Sequence, residues 1–219
     1  MASRASSDGE VAMAPVCTPD DQPMDVIPIS RKNFRHSRPL TAGEIELASL
    51  LFHDAIDYRR VRIHARRYMP FQPSNCAMTP NGHLYFHASC FLDDYAQATA
   101  ASQHWFIHEM AHVWQHQLGY AVRLRGAVRI GLPYNYDLAP GKKLADFNME
   151  AQGDLLADYF ALRHLGSSAC MRQTRYAGSL PLYEQVLAGF LANPGAAANL
   201  PEDYGRWLLH FKRRARRTV

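Results

Sequence analysis

Two histidines and a glutamate form the pattern His-Glu-x-x-His at His108, Glu109 and His112. Side chains four residues apart on an α-helix lie on one face, one turn apart, so both imidazoles can reach a single divalent ion. Zinc suits such ligands and lowers the pKa of a bound water toward about 7. The Glu109 carboxylate could take the proton of that water and deliver it to a leaving amine. The pattern indicates hydrolysis of a peptide bond.

A catalytic zinc site usually has a third protein ligand. In an extended form of the motif, a third ligand His stands ten residues after the first His. Here Leu118 occupies that position. His104 and His116 extend the four-residue spacing. Three ligands at successive four-residue steps of a straight helix would spread over about 12 Å, too far for all of them to bind one ion. We therefore expect His104 and His116 to be partly exposed polar residues, and the third ligand to come from elsewhere.

A later helical segment carries Glu150, Asp154 and Asp158 at four-residue spacing along one face. This acidic stripe could be a solvated surface. Its apolar neighbours indicate an anchored helix, however, so we assign Glu150 as the third ligand. Asp154 would then accept an N–H from a ligand histidine and set its tautomer. We expect Asp158 to be structural or on the helix surface.

A donor for the developing oxyanion is also needed beyond the metal. The segment between the two helices, GLPYNYDLAPGKK, is rich in Gly, Pro and Tyr and is expected to be a loop. Tyr134 and Tyr136 in this loop each carry a phenolic O–H and are our candidates for this catalytic role.

The elements that must position these residues follow from hydrophobic spacing and capping signals. Thr41 and Glu44 form a capping box at the start of a helix. Alternating and aromatic segments predict strands, and longer apolar periodicities predict further helices. We predict helices at 42–57, 101–118, 143–165, 181–192 and 202–216, and strands at 61–68 and 83–88. This order of helix, strands and helices predicts an α+β fold with a small sheet.

Composition excludes several classes of protein. The chain has 219 residues, of which 47% are hydrophobic and 20% are charged, and no apolar run is long enough to span a membrane. The formal net charge is +4, but six basic residues are concentrated after residue 205, so a nucleic-acid partner is not expected. The four cysteines show no Cys-x-x-Cys spacing, and thiols are favoured over a Cys76–Cys90 disulfide.

The chain has room for one domain and a tail. Residues 1–37 show no sustained periodicity and are predicted to be a flexible leader or linker without a general export signal. Residues 38–219 would form the domain, with a basic C-terminal end.

The motifs HEMAHVWQ and FNMEAQGDLLADYF resemble those of gluzincin-type zinc metallopeptidases. Upstream, RPLTAGEIELASLLFHDAIDYRRVRIHARRYMPFQP, then GHLYFH and FIHEMAHVWQHQLG, are similar to the metallopeptidase domains of type VI secretion spike (VgrG) proteins and of standalone Vgr-related proteins. The resemblance covers about residues 38–165. It implies a zincin-like fold, in which the sheet packs on the motif helix and on a second ligand-bearing helix, with further C-terminal helices.

The resemblance also implies an antibacterial effector that hydrolyses peptide bonds in the envelope of a competing cell. Such a protein would be made in the cytoplasm and delivered by type VI secretion to the target periplasm. Its substrate would be a peptidoglycan stem peptide or a periplasmic protein, and its partners a secretion spike and a cognate immunity protein. The alternative is a non-catalytic zincin-fold module that docks on a spike or another partner. Glu109 favours the enzyme, because a purely structural metal site does not need that carboxylate.

Overall fold

The structure is a computed structural model that describes residues 37–127 and 135–202. A small mixed sheet lies in the first part of the described chain. Its strands are β1 (Ser37–Pro39), β2 (Arg62–Ala65), β3 (Ala77–Met78) and β4 (Leu84–Phe86), in the order β1-β2-β4-β3. Strands β2 and β4 are parallel, and the other two pairs are antiparallel. Ile63 on β2 pairs with Leu84 on β4, and both are fully buried against the helices.

The described residues also form five α-helices. They are α1 (Ala42–Phe52), α2 (Ala100–Gln117), α3 (Val122–Ala127), α4 (Met149–Arg163) and α5 (Leu180–Ala192). The sheet together with these helices confirms the predicted α+β class. No described helix is long and apolar enough to cross a membrane.

The capping box predicted at the start of α1 is confirmed. The Thr41 hydroxyl accepts from the Glu44 backbone N–H at 3.0 Å, and the Glu44 carboxylate accepts from the Thr41 backbone N–H at 2.9 Å. Glu44 is fully buried and also accepts a bidentate pair of hydrogen bonds from Arg38 at 2.7 Å each. This ion pair joins β1 to α1. The helix ends at Phe52 instead of residue 57.

The boundaries of the two long helices follow from their caps. Thr99 caps α2, and the Asn148 side chain accepts from two backbone N–H groups in the first turn of α4. The predicted start of α4 at 143 was too early, because Asn148 caps the helix and Leu144–Asp146 forms a separate 3-10 turn. Gly119 and Gly166 follow the helix ends with φ of +93° and +61°, as expected of C-terminal glycines.

The core lies between the sheet, α2, α4 and α5. Trp114 on α2 is fully buried, packs edge-to-face on Phe190 of α5 and donates its indole N–H to the Pro194 carbonyl at 2.8 Å. Helices α2 and α4 pack against each other along their lengths. This packing brings the His-Glu-x-x-His face of α2 against the acidic face of α4.

Other predictions differ from the structure or cannot be compared with it. Strands β2 and β4 are shorter than predicted, and the short elements β1, β3 and α3 were not predicted. Among the cysteines that the structure describes, Cys76 and Cys90 form no disulfide. The leader, apart from Ser37, lies outside the described residues, as do the basic C-terminal run and all but the first residue of the predicted 202–216 helix.

Candidate metal site

Three buried side chains converge between α2 and α4. The Nε2 atoms of His108 and His112 lie 3.5 and 3.3 Å from Oε2 of Glu150. One ligand atom from each of the three residues lies within 4.8 Å of the other two. The structure thus brings together the two motif histidines and the acid that we predicted as third ligand.

The spacing of these donor atoms fits a bound metal. Zinc binds imidazole nitrogen and carboxylate oxygen at about 2.0–2.2 Å, so neighbouring ligands of a tetrahedral ion lie about 3.3–3.5 Å apart. The two nitrogen–oxygen distances of 3.5 and 3.3 Å fall in this interval. Two imidazoles and one carboxylate, held at this spacing, could hold a metal ion.

Asp154 orients the first histidine. Its Oδ1 lies 2.8 Å from Nδ1 of His108. A carboxylate can only accept, so Nδ1 carries a proton, and Nε2, on the side of Glu150, is the ring nitrogen that could bind a metal. Arg172 approaches the other oxygen of Asp154, with its Nε 3.6 Å from Oδ2. The structure therefore places Asp154 next to a candidate ligand histidine, and its role toward a metal stays a prediction.

Gln115 orients the second histidine, and the sequence reasoning missed it. The Gln115 amide nitrogen donates to the Met149 carbonyl at 3.1 Å and to the Gln152 side-chain oxygen at 2.9 Å. Its own oxygen therefore faces Nδ1 of His112, at 2.8 Å, and accepts the ring proton. The available signal was a glutamine three residues after His112 on the same helix, but that position only becomes meaningful once α4 packs beside it.

The pKa values of His108, His112 and Glu150 are shifted by burial and by neighbouring charges. Burial lowers the pKa of His108 and of His112, but Asp154 and Glu150 respectively outweigh it and raise each pKa above its ordinary value. Burial raises the pKa of Glu150, but the charges of His112 and His108 outweigh it and hold that pKa well below its usual range. The histidines and the buried carboxylates thus favour each other's charged forms, and a divalent ion on binding would take the place of protons on the imidazoles.

A glycine on α4 allows the histidine to approach. Gly153 lies beneath the His108 ring, and a Cβ at this position would lie 2.8 Å from Cε1 and 2.9 Å from Nδ1 of that ring. Such distances are shorter than van der Waals contact allows. Any larger residue at position 153 would displace His108 or move the two helices apart.

Glu109, the predicted general base, is buried beside the cluster and has an unpredicted partner. The Thr79 hydroxyl donates to its Oε2 at 2.5 Å, and both residues are only 4% exposed. Thr79 directly follows the edge strand β3, thirty residues before Glu109 in the chain. No local pattern could have indicated this contact.

The remaining candidates lie elsewhere. Asp158 is fully buried and accepts from Nε2 of His104, from the Tyr136 hydroxyl and from the backbone N–H groups of Arg172 and Gln173. Its predicted structural role is therefore supported and the surface alternative is wrong. His104 is 5% exposed, so the prediction that it is partly exposed was wrong, because Asp158 compensates its burial. His116 is exposed, as expected.

Tyr136 lies away from the candidate metal ligands. The Tyr136 hydroxyl contacts Asp158 and the Tyr183 hydroxyl, two turns along α4 from Glu150. Burial, together with Asp158, raises the pKa of Tyr136, so its hydroxyl stays protonated and donates to the carboxylate. Tyr134 lies outside the described residues.

An α+β domain with two histidines and a glutamate converging between packed helices defines a candidate metal-binding domain. No protein-family model matches the chain. A solved structure, the effector domain of Pseudomonas aeruginosa VgrG2b, is 40% identical, with a TM-score of 0.57 over 71% of this chain and 86% of that one. The chain belongs to the family of this VgrG2b effector domain.

The chain is also similar to part of a full-length spike protein. The type VI secretion system spike protein VgrG2b of Pseudomonas aeruginosa is 43% identical over 150 residues, which is 65% of this chain. The matched segment is 15% of that spike protein, so the present chain is similar to one part of it. The predicted resemblance to spike-linked effector domains is confirmed.

Proposed function

We propose that the protein is a zinc-dependent peptide hydrolase of the gluzincin type that acts as a type VI secretion effector. His108, His112 and Glu150 would hold the zinc, and Glu109 would be the general base. The observation that carries this proposal is the buried donor set, whose nitrogen–oxygen distances of 3.5 and 3.3 Å suit a tetrahedral ion. The homology to an effector domain supports the delivery part of the proposal.

The chemistry of the donors favours zinc. Two imidazoles and one carboxylate form a typical protein ligand set of catalytic zinc. When bound, zinc polarises a carbonyl and lowers the pKa of water. The second ring nitrogen of each histidine is held by Asp154 or Gln115, and such partners strengthen and orient the metal ligand.

The protein's own groups would then move one proton. Glu109 takes a proton from the attacking water as the water oxygen bonds to the peptide carbonyl carbon. The same carboxyl group delivers that proton to the amide nitrogen as the carbon–nitrogen bond breaks, which releases an amine and a carboxylic acid that then loses its remaining proton to solvent. Burial of Glu109 keeps competing water away from this exchange. Tyr134 remains our proposal for the oxyanion donor.

A peptide could be held along the sheet edge next to Glu109. Strand β3 is an edge strand of the described sheet, and an extended peptide can pair with such an edge through main-chain hydrogen bonds. A cleft of about 390 Å³ is lined by Pro80, the residue after Thr79, and by His116, Val122, Arg123 and Leu124 among others. This mixed apolar and basic lining suits peptide side chains.

The delivery route and target follow from the same proposal. A secretion spike would be the carrier, since the related effector domain is part of one. The substrate would be a peptidoglycan stem peptide or a periplasmic protein in the target cell. A cognate immunity protein would protect the producing cell by covering the cleft.

The first experiment measures metal by elemental mass spectrometry in the purified protein and in the variants His112→Ala, Glu150→Ala and Glu109→Gln. We expect about one zinc per chain in the wild type and in Glu109→Gln, and none in the two ligand variants. Zinc lost only in His112→Ala would transfer the third-ligand role away from Glu150. No zinc in any form would contradict the proposal.

The second experiment tests hydrolysis. The zinc-loaded protein is incubated with a peptide library and with peptidoglycan sacculi, and the products are identified by mass spectrometry. We expect new amino termini with the wild type and at least a thousandfold slower release with Glu109→Gln, which binds zinc normally. Equal cleavage by both would eliminate Glu109 as the base. Zinc binding with no cleavage, but with binding to a purified spike, would favour the docking-module alternative.

A further inference from the structure

The Thr79 hydroxyl is placed to control the orientation of Glu109. It donates to Oε2 at 2.5 Å, in a site where both side chains are 4% exposed. A carboxylate on a flexible side chain has two equivalent oxygens and can rotate. A buried donor on one oxygen fixes the plane of the group and leaves the other oxygen for proton transfer.

The backbone around Thr79 holds that hydroxyl rigidly. Met78 before it pairs with Tyr85 in the sheet, and Pro80 after it restricts the Thr79 backbone to extended conformations. The turn at Asn81 and Gly82 follows, with Gly82 at φ +78° and the Asn81 side-chain amide donating to the Tyr85 hydroxyl at 3.2 Å. Both flanks are therefore anchored to β4.

We propose that Thr79 is a positioning residue that fixes the Glu109 carboxylate for proton transfer and connects it to the sheet edge at β3. The proposal rests on the proposed hydrolase function and extends it. Since Thr79 directly follows β3, a peptide that pairs with this edge would be aligned by the same backbone that orients the base. Substrate register and base orientation would then depend on one short segment.

The test compares Thr79→Val, which has nearly the same shape without the hydroxyl, with Thr79→Ser, which keeps the hydroxyl. Thr174→Val makes the same chemical change at an exposed position and is the control. Zinc content, Tm, crystal structures of the zinc-loaded proteins, and kcat and KM on the peptide that the wild type cleaves are measured.

We expect all variants to bind zinc as the wild type does. Thr79→Val should show Glu109 in a new or divided orientation and a fall in kcat of about ten- to a hundredfold with KM within about twofold. Thr79→Ser should restore most of kcat, and Thr174→Val should behave as the wild type.

An unchanged Glu109 orientation in the Thr79→Val crystal would overturn the proposal, and so would an equal loss of kcat in Thr79→Ser. If the wild type binds zinc but cleaves no peptide, the hydrolase function fails. The crystal structures still decide whether Thr79 orients Glu109 in that case, so the two failures are distinguishable.

Discussion

Nε2 of His104 lies 2.7 Å from Oδ1 of Asp158 in the interface between α2 and α4, and neither residue is more than 5% exposed. It is one of three such pairs between the two helices. In the next turns of α2, His108 contacts Asp154, and His112 contacts Glu150. Three histidines of α2 thus face three acids of α4 in antiparallel order, each set at four-residue spacing.

The three pairs serve different purposes. The pairs His108–Asp154 and His112–Glu150 contain the three candidate metal ligands, together with Asp154, which contacts His108. The His104–Asp158 pair lies beyond the site and joins α2 to α4 and to the segment containing Arg172. Because Arg172 also approaches Asp154, this pair is connected to the candidate metal site through Arg172.

We expect Asp158→Asn to destabilise the protein by about 3 kcal/mol, which corresponds to a fall in Tm of about 6–12 °C. The buried carboxylate accepts from four donors, and an amide would turn an N–H toward at least one of them. Asp137→Asn, at a side chain that is 75% exposed, is the matched control and should change Tm little. Thermal unfolding of metal-free protein measures both. Equal Tm values would show that the network contributes nothing.

We expect Gly153→Ala to weaken zinc binding at least tenfold. The added methyl would lie within 3 Å of two His108 ring atoms and displace a ligand. Alanine favours a helix over glycine by about 1 kcal/mol, so unwinding of α4 would not explain the loss. Competition with a chromogenic chelator measures the zinc affinity. Gly178→Ala has no atom within 4 Å of the new methyl and should bind zinc normally; the same affinity in both variants would contradict the packing argument.

Gln115→Met should lower zinc affinity about ten- to a hundredfold, because the His112 ring loses the acceptor that sets its tautomer. Gln103→Met is a matched control on the same helix, since Gln103 also donates to two carbonyls but contacts no histidine. Both variants are compared by zinc titration and by Tm. A similar loss of affinity in both would assign the effect to helix α2 as a whole.

Stability should fall on acidification partly through His64. Burial lowers its pKa to about 4, assisted by His83, Arg66 and Arg62, whereas the unfolded chain has the ordinary value of 6.5. Between pH 6.5 and 4 the unfolded state binds more protons at this residue, so stability decreases as pH falls. His64→Phe keeps the stacking on Tyr85, 4.4 Å between ring centroids, without a titrating group.

Tm of the metal-free proteins is measured from pH 7 to pH 4.5. The decrease in Tm should be smaller in His64→Phe than in the wild type, because that variant lacks the titrating group. It should not vanish, because the pKa values of His83 and His116 are also lowered in both proteins. Identical decreases would mean that folding does not lower the pKa of His64.

Local features of the site and of its helices were predictable from the sequence. The i, i+4 spacing of His108 and His112 depends only on helix geometry, and the Thr41–Glu44 capping box closes within four residues. Element ends were less predictable, because α1 stops at Phe52 and α4 begins at Met149 under the control of single turns and caps. The short strands β1 and β3 depend on pairing partners distant in the chain.

Residue types and spacing alone therefore determined the α+β class, the motif helix and the acidic helix. Only the tertiary structure decided which acid meets which histidine, that Gln115 contacts His112 and Thr79 contacts Glu109, and that Tyr136 contacts Asp158. The reason is physical: a helix face follows from hydrogen bonds four residues apart, whereas these contacts join residues up to 54 positions apart, and only packing of α2 against α4 and the sheet brings them together.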